Sequence, residues 1–307
     1  MTKHDWRWVA GLALLAALAG CARRRQPTER FDASSVDVLR TAFGSAVKGP
    51  AGPKAAIPDP DGWATLKGTF KLVGQPPARK PLDVNRDHSV CAPGGKPVLG
   101  EDLVIDTATN GIKDVAIYLI GPHPKFPVGD SKWEHESYGK TAGDELLFDQ
   151  KQCVFLTHLL AIRSSQKVRV TNSDPVGHNT NINGIGGAKS ESITVPEHGY
   201  SMYQPGGQSP RPFKVICNIH PWMGAMMLVR DSPFFAVSKA DGSFEIPNLP
   251  SGVELEFQVF QEAAKNYKEL TVNGKAATWE QGKFKIKLPK DQTETLNVEI
   301  KSAAFGA

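Results

Sequence analysis

The chain has 307 residues, 40% hydrophobic and 22% charged, a composition that can bury one sizeable core or two smaller ones and gives no sign of global disorder. Its formal net charge of +4 is confined to the N-terminal part. Residues 1–20 carry +1 and residues 21–60 carry +3, whereas the rest holds 27 charges of each sign. This balance implies no basic face for nucleic acid. The 29 glycines and 23 prolines favour many short strands, so an all-β fold is predicted.

Residues 1–20 have the pattern of a signal peptide. Two basic residues precede an apolar core, Val9 to Leu18, that is too short to cross a bilayer as a mature helix. The Leu-Ala-Gly-Cys sequence that follows resembles a bacterial lipobox, in which Cys21 is acylated and becomes the mature N-terminus. We therefore expect an exported lipoprotein on the periplasmic side of the cell envelope, in the outer membrane rather than the inner one. The alternative is an ordinary secretory signal with an unrelated cysteine.

Residues 21–60 have the composition of a lipidated tether. Proline, alanine and glycine dominate its second half, which is unsuited to packing. The basic run Arg23–Arg25 would lie at an anionic membrane surface, next to the lipid. A short amphipathic helix is predicted within the tether, from Ser34 or Ser35 to Val47.

Two segments further along carry side chains suited to one metal ion. His178 follows a strand-like run, and Cys217, His220 and Met223 lie within seven residues of one another. One thiolate, two imidazoles and one weak axial thioether are the donors of a mononuclear type 1 copper centre. The set therefore predicts one copper ion as cofactor and electron transfer as function. Structural zinc would prefer more cysteine or histidine over a thioether.

These segments resemble the copper-binding segments of the cupredoxins. His178 followed by Asn179 matches the first, and the short CxxHPxM loop, 39 residues after His178, is similar to the amicyanin type of ligand loop. The resemblance implies a Greek-key β-sandwich and one-electron exchange with redox protein partners, such as a dehydrogenase or a cytochrome. It also implies an exposed ligand edge at His220, surrounded by a landing area for partners made of Pro221, Trp222 and Gly224.

Three alternatives accompany this interpretation. Met226 and Met227 compete with Met223 for the axial position, although apolar packing suits them better. A nucleophilic Cys217–His220 pair is disfavoured, because a catalytic base normally comes from elsewhere in the chain, so no enzymatic activity is expected. The other possibility is an envelope binding or scaffold protein whose site stores copper, delivers copper or is empty.

The remaining cysteines predict a disulfide. With Cys21 assigned to lipid and Cys217 to metal, Cys91 and Cys153 are left, and an exported protein would oxidise them to close a loop of about sixty residues. A second metal site is the alternative, since His88 lies three residues before Cys91, but no further ligands follow at zinc spacing.

Two domains are expected after the tether. Residues 61–230 would form the copper domain, with an N-terminal elaboration from Gly62 to about Asp149. Residues 231–303 contain the motif DGSFEIPNLPSG, which resembles carboxypeptidase-regulatory or transthyretin-like modules and implies a second small β-sandwich. No catalytic set appears there, so the second module is expected to act as a scaffold or in binding.

Overall fold

The computed structural model describes residues 56–123 and 125–306. The predicted signal peptide, the lipidation site and the helix within the tether lie outside these residues. None of the helices in the described part has the length and apolar character needed to cross a membrane. From Ile57 onward the chain forms one compact unit.

Strands dominate the described residues, so the predicted all-β class is confirmed. Within residues 56–123 and 125–306, helical structure is limited to α1 (His88–Cys91) and four short 3-10 segments, Pro93–Gly95, Glu136–Thr141, Glu280–Gly282 and Ser302–Phe305. The strands are β1 Trp63–Val73, β2 Ala116–Gly121, β3 Glu145–Lys151, β4 Val154–Phe155, β5 Leu159–Arg163, β6 Lys167–Asn172, β7 His178–Ile182, β8 Glu191–Val195, β9 Tyr200–Tyr203, β10 Phe213–Ile216, β11 Gly224–Arg230, β12 Phe235–Val237, β13 Ser243–Pro250, β14 Glu254–Phe260, β15 Leu270–Val272, β16 Lys275–Ala277, β17 Lys283–Lys287 and β18 Thr293–Lys301.

Strands β3 to β11 form the first β-sandwich. One sheet has the order β4-β3-β6-β9 and the other has the order β5-β11-β10-β7-β8. Strand β6 alternates between its two faces, because Val168 and Val170 are fully buried while Lys167 is exposed. Apolar side chains from both sheets meet in one core, which includes Phe148, Val168, Val170, Ile193, Val215 and Val229.

The other strands form the second β-sandwich, with sheet orders β13-β1-β18-β15-β16 and β12-β2-β14-β17. The strands do not divide at the predicted boundary between residues 230 and 231. Strand β1 runs parallel to β18 and antiparallel to β13, and β2 pairs with β12 and β14. Much of the predicted N-terminal elaboration therefore belongs to the second sandwich, because the apolar face of β1 completes its core.

Strands β2, β5 and β11 join the two sandwiches. Tyr118 on β2 lies in an apolar cluster with Leu159 on β5 and with Met226 and Leu228 on β11. The opposite face of β11 points into the first core through Met227 and Val229. Both faces of these strands are covered, which explains why β11 is a continuous apolar run rather than an alternating one.

Candidate metal centre

Three neighbouring strands bring the four predicted ligands to one end of the first sandwich. His178 begins β7, Cys217 follows β10 directly, and Met223 immediately precedes β11. Strand β10 pairs with β11 on one side and with β7 on the other, which aligns the ligand loop with His178. Within the loop, Met223 N–H donates to the His220 carbonyl (2.9 Å) and Cys217 N–H to the Met223 carbonyl (3.2 Å). These bonds fold the loop into a tight turn.

The donor atoms of three residues converge. The Nδ1 atoms of His178 and His220 are 2.9 Å apart, and Cys217 Sγ lies 3.9 Å from His220 Nδ1. One ligand atom from each of the three residues lies within 4.8 Å of the other two. All three side chains are at most 1% exposed, so water is excluded from the point they share.

Backbone amides surround the sulfur of Cys217. The N–H groups of Asn179 and His220 point at Sγ from 3.5 Å and 3.4 Å. The Asn179 side chain accepts a hydrogen bond from Asn218 N–H at 2.6 Å and so fastens the ligand loop to β7. Weak donors around a thiolate stabilise its negative charge without protonating it.

Each of the two histidines contacts a carboxylate through Nε2, the ring nitrogen opposite the one that faces the other histidine. His178 Nε2 contacts Asp174 Oδ2 and His220 Nε2 contacts Asp87 Oδ2, both at 2.8 Å. A carboxylate at Nε2 places the imidazole proton on that nitrogen and leaves the Nδ1 lone pair free to bind a metal. Burial also lowers the pKa of His178, and this effect is larger than the opposite effect of the hydrogen bond with Asp174. The lowered pKa favours the neutral form of the ring, which can bind a metal.

Asp174 also supports the turn between β3 and β4. Its carboxylate accepts the N–H groups of Gln152 (2.6 Å) and Cys153 (2.8 Å). Both residues have φ of +53°, a left-handed conformation that is costly for residues other than glycine and that a two-residue hairpin turn requires. One buried carboxylate thus stabilises a strained turn and orients a predicted ligand.

The expectation of an exposed edge at His220 is wrong. The ring is fully buried, because Asp87 covers its Nε2 edge from the turn that begins α1. The surrounding loop is more open: Pro221 and Gly224 are exposed and Trp222 is half-buried. The Trp222 ring lies edge-on to His220 with 5.1 Å between centroids, and its Nε1 donates to the Cys153 carbonyl.

The methionines that compete for the axial position lie on different faces. Met223 is buried in the core of the first sandwich together with Cys217. Met226 points the other way, into the cluster between the two sandwiches. Met227 pairs with Phe213 deeper in the same sheet, where it packs among core side chains. Of the three methionines, Met223 is the one that lies in the ligand loop and shares the core cluster of Cys217.

Cys91 and Cys153 form a disulfide, as predicted, across a sequence separation of 62. This bond ties α1, and with it Asp87, to the turn held by Asp174. It also removes both thiolates from metal binding, so the alternative site built on His88 and Cys91 is not formed. His88 itself is exposed.

Sequence reasoning missed the two carboxylates. Asp174 could have been found, because it lies four residues before His178 in a turn-forming NSDP sequence. Asp87 lies 133 residues before His220 and only the fold brings them together. Two polar side chains in the segment between the ligand-bearing stretches do not reach the site: the Tyr203 hydroxyl donates to the Lys189 carbonyl, and the His198 side chain is exposed.

The residues present fit a soft metal ion. Two imidazole lone pairs that face each other at 2.9 Å in a buried site repel, unless a proton or a cation lies between them. The nearby thiol and thioether are donors that favour copper over hard cations such as Mg²⁺ or Ca²⁺. The arrangement can therefore hold one ion away from water.

Comparison with known proteins gives structural neighbours only. No protein-family model and no curated protein matches the chain. A copper-containing nitrite reductase from Thermus scotoductus SA-01 is 15% identical, with a TM-score of 0.27, and the match covers 29% of this chain and 23% of that one. A methionine-to-alanine mutant of amicyanin with Cu(I) is 13% identical (TM-score 0.25), with coverage of 28% and 82%. An oxidised proline-to-glycine mutant of amicyanin is 12% identical (TM-score 0.25), with coverage of 37% and 98%.

The sandwich built from β3 to β11 is defined by the sheet orders of this chain. The assignment of individual ligands rests on the geometry of this chain.

Proposed function

We propose that the protein is a type 1 copper protein that carries single electrons. His178, Cys217 and His220 are the equatorial ligands and Met223 is the axial ligand. The observation that carries this proposal is the convergence of two imidazole Nδ1 atoms and one buried sulfur on a common point. Bound copper would supply reversible exchange between Cu(II) and Cu(I).

The surrounding residues support a rigid site. Asp174 and Asp87 hold the two imidazole rings, and backbone N–H groups hold the sulfur. The disulfide between Cys91 and Cys153 ties both carboxylate-bearing segments together. Ligands fixed in this way move little when the charge of the bound ion changes, which favours fast electron exchange. Storage or delivery of copper would instead require ligands that open to solvent.

The cellular setting is part of the proposal. Acylation at Cys21 would anchor the protein on the periplasmic side of the envelope, and its partners would be redox proteins rather than nucleic acids. The disulfide supports this placement, because disulfides persist in oxidising compartments. No catalytic activity is proposed.

Addition of Cu(II) to the purified protein should produce an intense charge-transfer absorption from sulfur to copper in the orange-red visible region. The Cys217→Ser variant should lack the band, because a hydroxyl cannot replace the thiolate. Ascorbate should bleach the band in the wild type and ferricyanide should restore it. A band that persists in Cys217→Ser, or a wild type that binds copper without colour, would refute the assignment.

A pair of methionine variants provides the matched control. Met223→Leu should shift the band and raise the reduction potential, because the axial thioether is lost. Met226→Leu also replaces a thioether with an aliphatic side chain, but on the other face of β11. It should leave the band and the reduction potential unchanged. The reverse pattern would assign the axial position to Met226.

A further inference from the structure

A buried histidine lies at the junction between the two sandwiches. His158 is in the connection between β4 and β5 and is only 7% exposed. Its carbonyl accepts a hydrogen bond from Met226 N–H at 2.7 Å, which fixes this part of the backbone to β11. The next residue, Leu159, belongs to the apolar cluster that joins the sandwiches. His158 is therefore an anchored part of the first sandwich that lies beside the second.

Two carboxylates held by the second sandwich lie next to the ring. Glu262 follows β14, and its Oε2 is 2.7 Å from His158 Nε2. Glu101 lies between β1 and β2, and its Oε2 is 3.9 Å from His158 Nδ1. Leu103, two residues after Glu101, packs in the core of the second sandwich. The residue before Glu262 donates its N–H to the hydroxyl of Tyr267, which packs in the same core.

The ring attracts both carboxylates when both of its nitrogens are protonated. A neutral imidazole that donates Nε2–H to Glu262 keeps a lone pair on Nδ1, which is buried and has no hydrogen-bond partner. The carboxylate of Glu101 lies near this lone pair and repels it. In the imidazolium, the proton on Nδ1 turns this repulsion into attraction, and the positive charge offsets the repulsion between Glu101 and Glu262.

Negative charge dominates the surroundings of the ring. Lys80 lines the same cavity as His158, but it is exposed, so water screens its charge. Two further basic groups nearby lie next to carboxylates, because Lys113 is 2.9 Å from Asp114 and Arg79 is 3.9 Å from Glu101. The carboxylates around His158 come from the segment between β1 and β2 and from the residues after β14: Glu101, Asp102, Asp114 and Glu262.

These groups change the protonation of His158. Burial lowers its pKa, but the hydrogen bond with Glu262 and the negative charges of Glu262, Asp114 and Glu101 together raise the pKa above its ordinary value of 6.5. Because the pKa is raised in the folded state, the stabilisation from the imidazolium is fully present below pH 6.5 and is lost as the pH rises through the folded-state pKa. The contact is therefore weakened by a rise in pH.

We propose that His158 is a proton-operated latch between the two sandwiches. The imidazolium holds Glu262 and Glu101 against the first sandwich. When the ring loses its second proton, the two carboxylates repel each other and the Nδ1 lone pair, and the segments that carry them move away from β5. His158, Glu101 and Glu262 all line a cavity of about 330 Å³ that extends to Trp222, so opening of the latch widens this cavity. The latch is part of the fold and does not depend on bound metal.

Hydrogen–deuterium exchange of the metal-free full chain at about pH 6 and about pH 8.5 tests the latch. After correction for the intrinsic pH dependence of exchange, the amides of residues 156–160 and 260–264 should be roughly tenfold less protected at the higher pH. The amides of β1 and β18, which pair with each other in the second sandwich, should keep their protection. A loss that is confined to the junction distinguishes local opening from global unfolding.

Three variants identify the group that operates the latch. His158→Gln keeps a donor for Glu262 but carries no charge, so its junction amides should be weakly protected to the same extent at both pH values. Glu262→Gln keeps the ring and removes one carboxylate, so the loss of protection should begin at a lower pH than in the wild type. It also tests the latch if His158→Gln does not fold. His88→Gln is the matched control, because His88 is exposed in α1, and it should keep the wild-type pH dependence.

Equal protection of the junction at both pH values in the wild type would overturn the inference, as would wild-type pH dependence in His158→Gln. Exchange that also increases with pH in β1 and β18 would overturn it, because the whole fold would then be destabilised. Since the chain is tested without metal, failure of the latch leaves the proposed copper function untouched. A copper complex without the visible band would contradict the proposed function and leave the latch untouched.

Discussion

Replacement of Asp174 with alanine should lower the free energy of unfolding of the metal-free protein by about 3–5 kcal/mol. The carboxylate is 2% exposed and accepts hydrogen bonds from Gln152 N–H, Cys153 N–H and His178 Nε2–H. Truncation leaves these donors without a partner, and each buried unsatisfied donor costs about 1–3 kcal/mol. It also removes the support of two left-handed residues in the β3–β4 turn.

The same variant should bind copper more weakly. Without Asp174 the imidazole of His178 loses the partner that fixes its orientation and its protonation, and loss of such partners typically lowers metal affinity 10- to 100-fold. Denaturant unfolding of the metal-free chain and competition with a copper chelator measure the two effects separately.

Asp149 provides the matched control. Its carboxylate also accepts three hydrogen bonds, from Gln150 N–H, Thr171 Oγ1 and Ser173 Oγ, but it is half-exposed and water can replace it. Asp149→Ala should therefore cost only about 1 kcal/mol and leave copper affinity unchanged. Similar losses in both alanine variants would show that Asp174 has no special role.

Removal of the disulfide with the double variant Cys91→Ser and Cys153→Ser should cost about 4 kcal/mol, because the crosslink closes a long loop in the unfolded chain. The change should also release α1 and loosen Asp87 over His220, so copper should dissociate faster. Thermal unfolding of the metal-free protein and copper release to a chelator are the measurements.

Cys217→Ser in the metal-free chain controls for the chemistry of the substitution. It also replaces a buried sulfur with a hydroxyl but breaks no crosslink, so a loss of about 1–2 kcal/mol is expected. A double variant that is as stable as this single variant would mean that the disulfide does not hold the segment in place.

Local sequence information was sufficient for the ligand loop. The spacing of Cys217, His220 and Met223 is set within seven residues, and a tight turn between two paired strands brings such residues together whatever surrounds them. The alternation of valines with polar residues in β6 likewise matches the face that is buried. These features depend on chain geometry over a few residues.

Features that depend on distant contacts were not predictable in the same way. The burial of His220 requires Asp87, which contacts the Nε2 edge of the ring. The position of Asp87 depends in turn on the disulfide that ties α1 to the turn between β3 and β4. The pairing of β1 with β18 joins strands more than 200 residues apart, and β1 carries no signal that chooses this partner over a strand of the first sandwich. The family resemblance predicted an exposed His220 because it matched only the ligand segments and could not include a covering segment.

The most direct test is X-ray absorption at the copper edge of the loaded protein. The structure predicts one short copper–sulfur distance and two copper–imidazole distances in the wild type, with the short sulfur distance absent in Cys217→Ser. Copper bound by nitrogen and oxygen alone, or a spectrum that does not change in Cys217→Ser, would contradict the assignment of His178, Cys217 and His220 to a single metal centre.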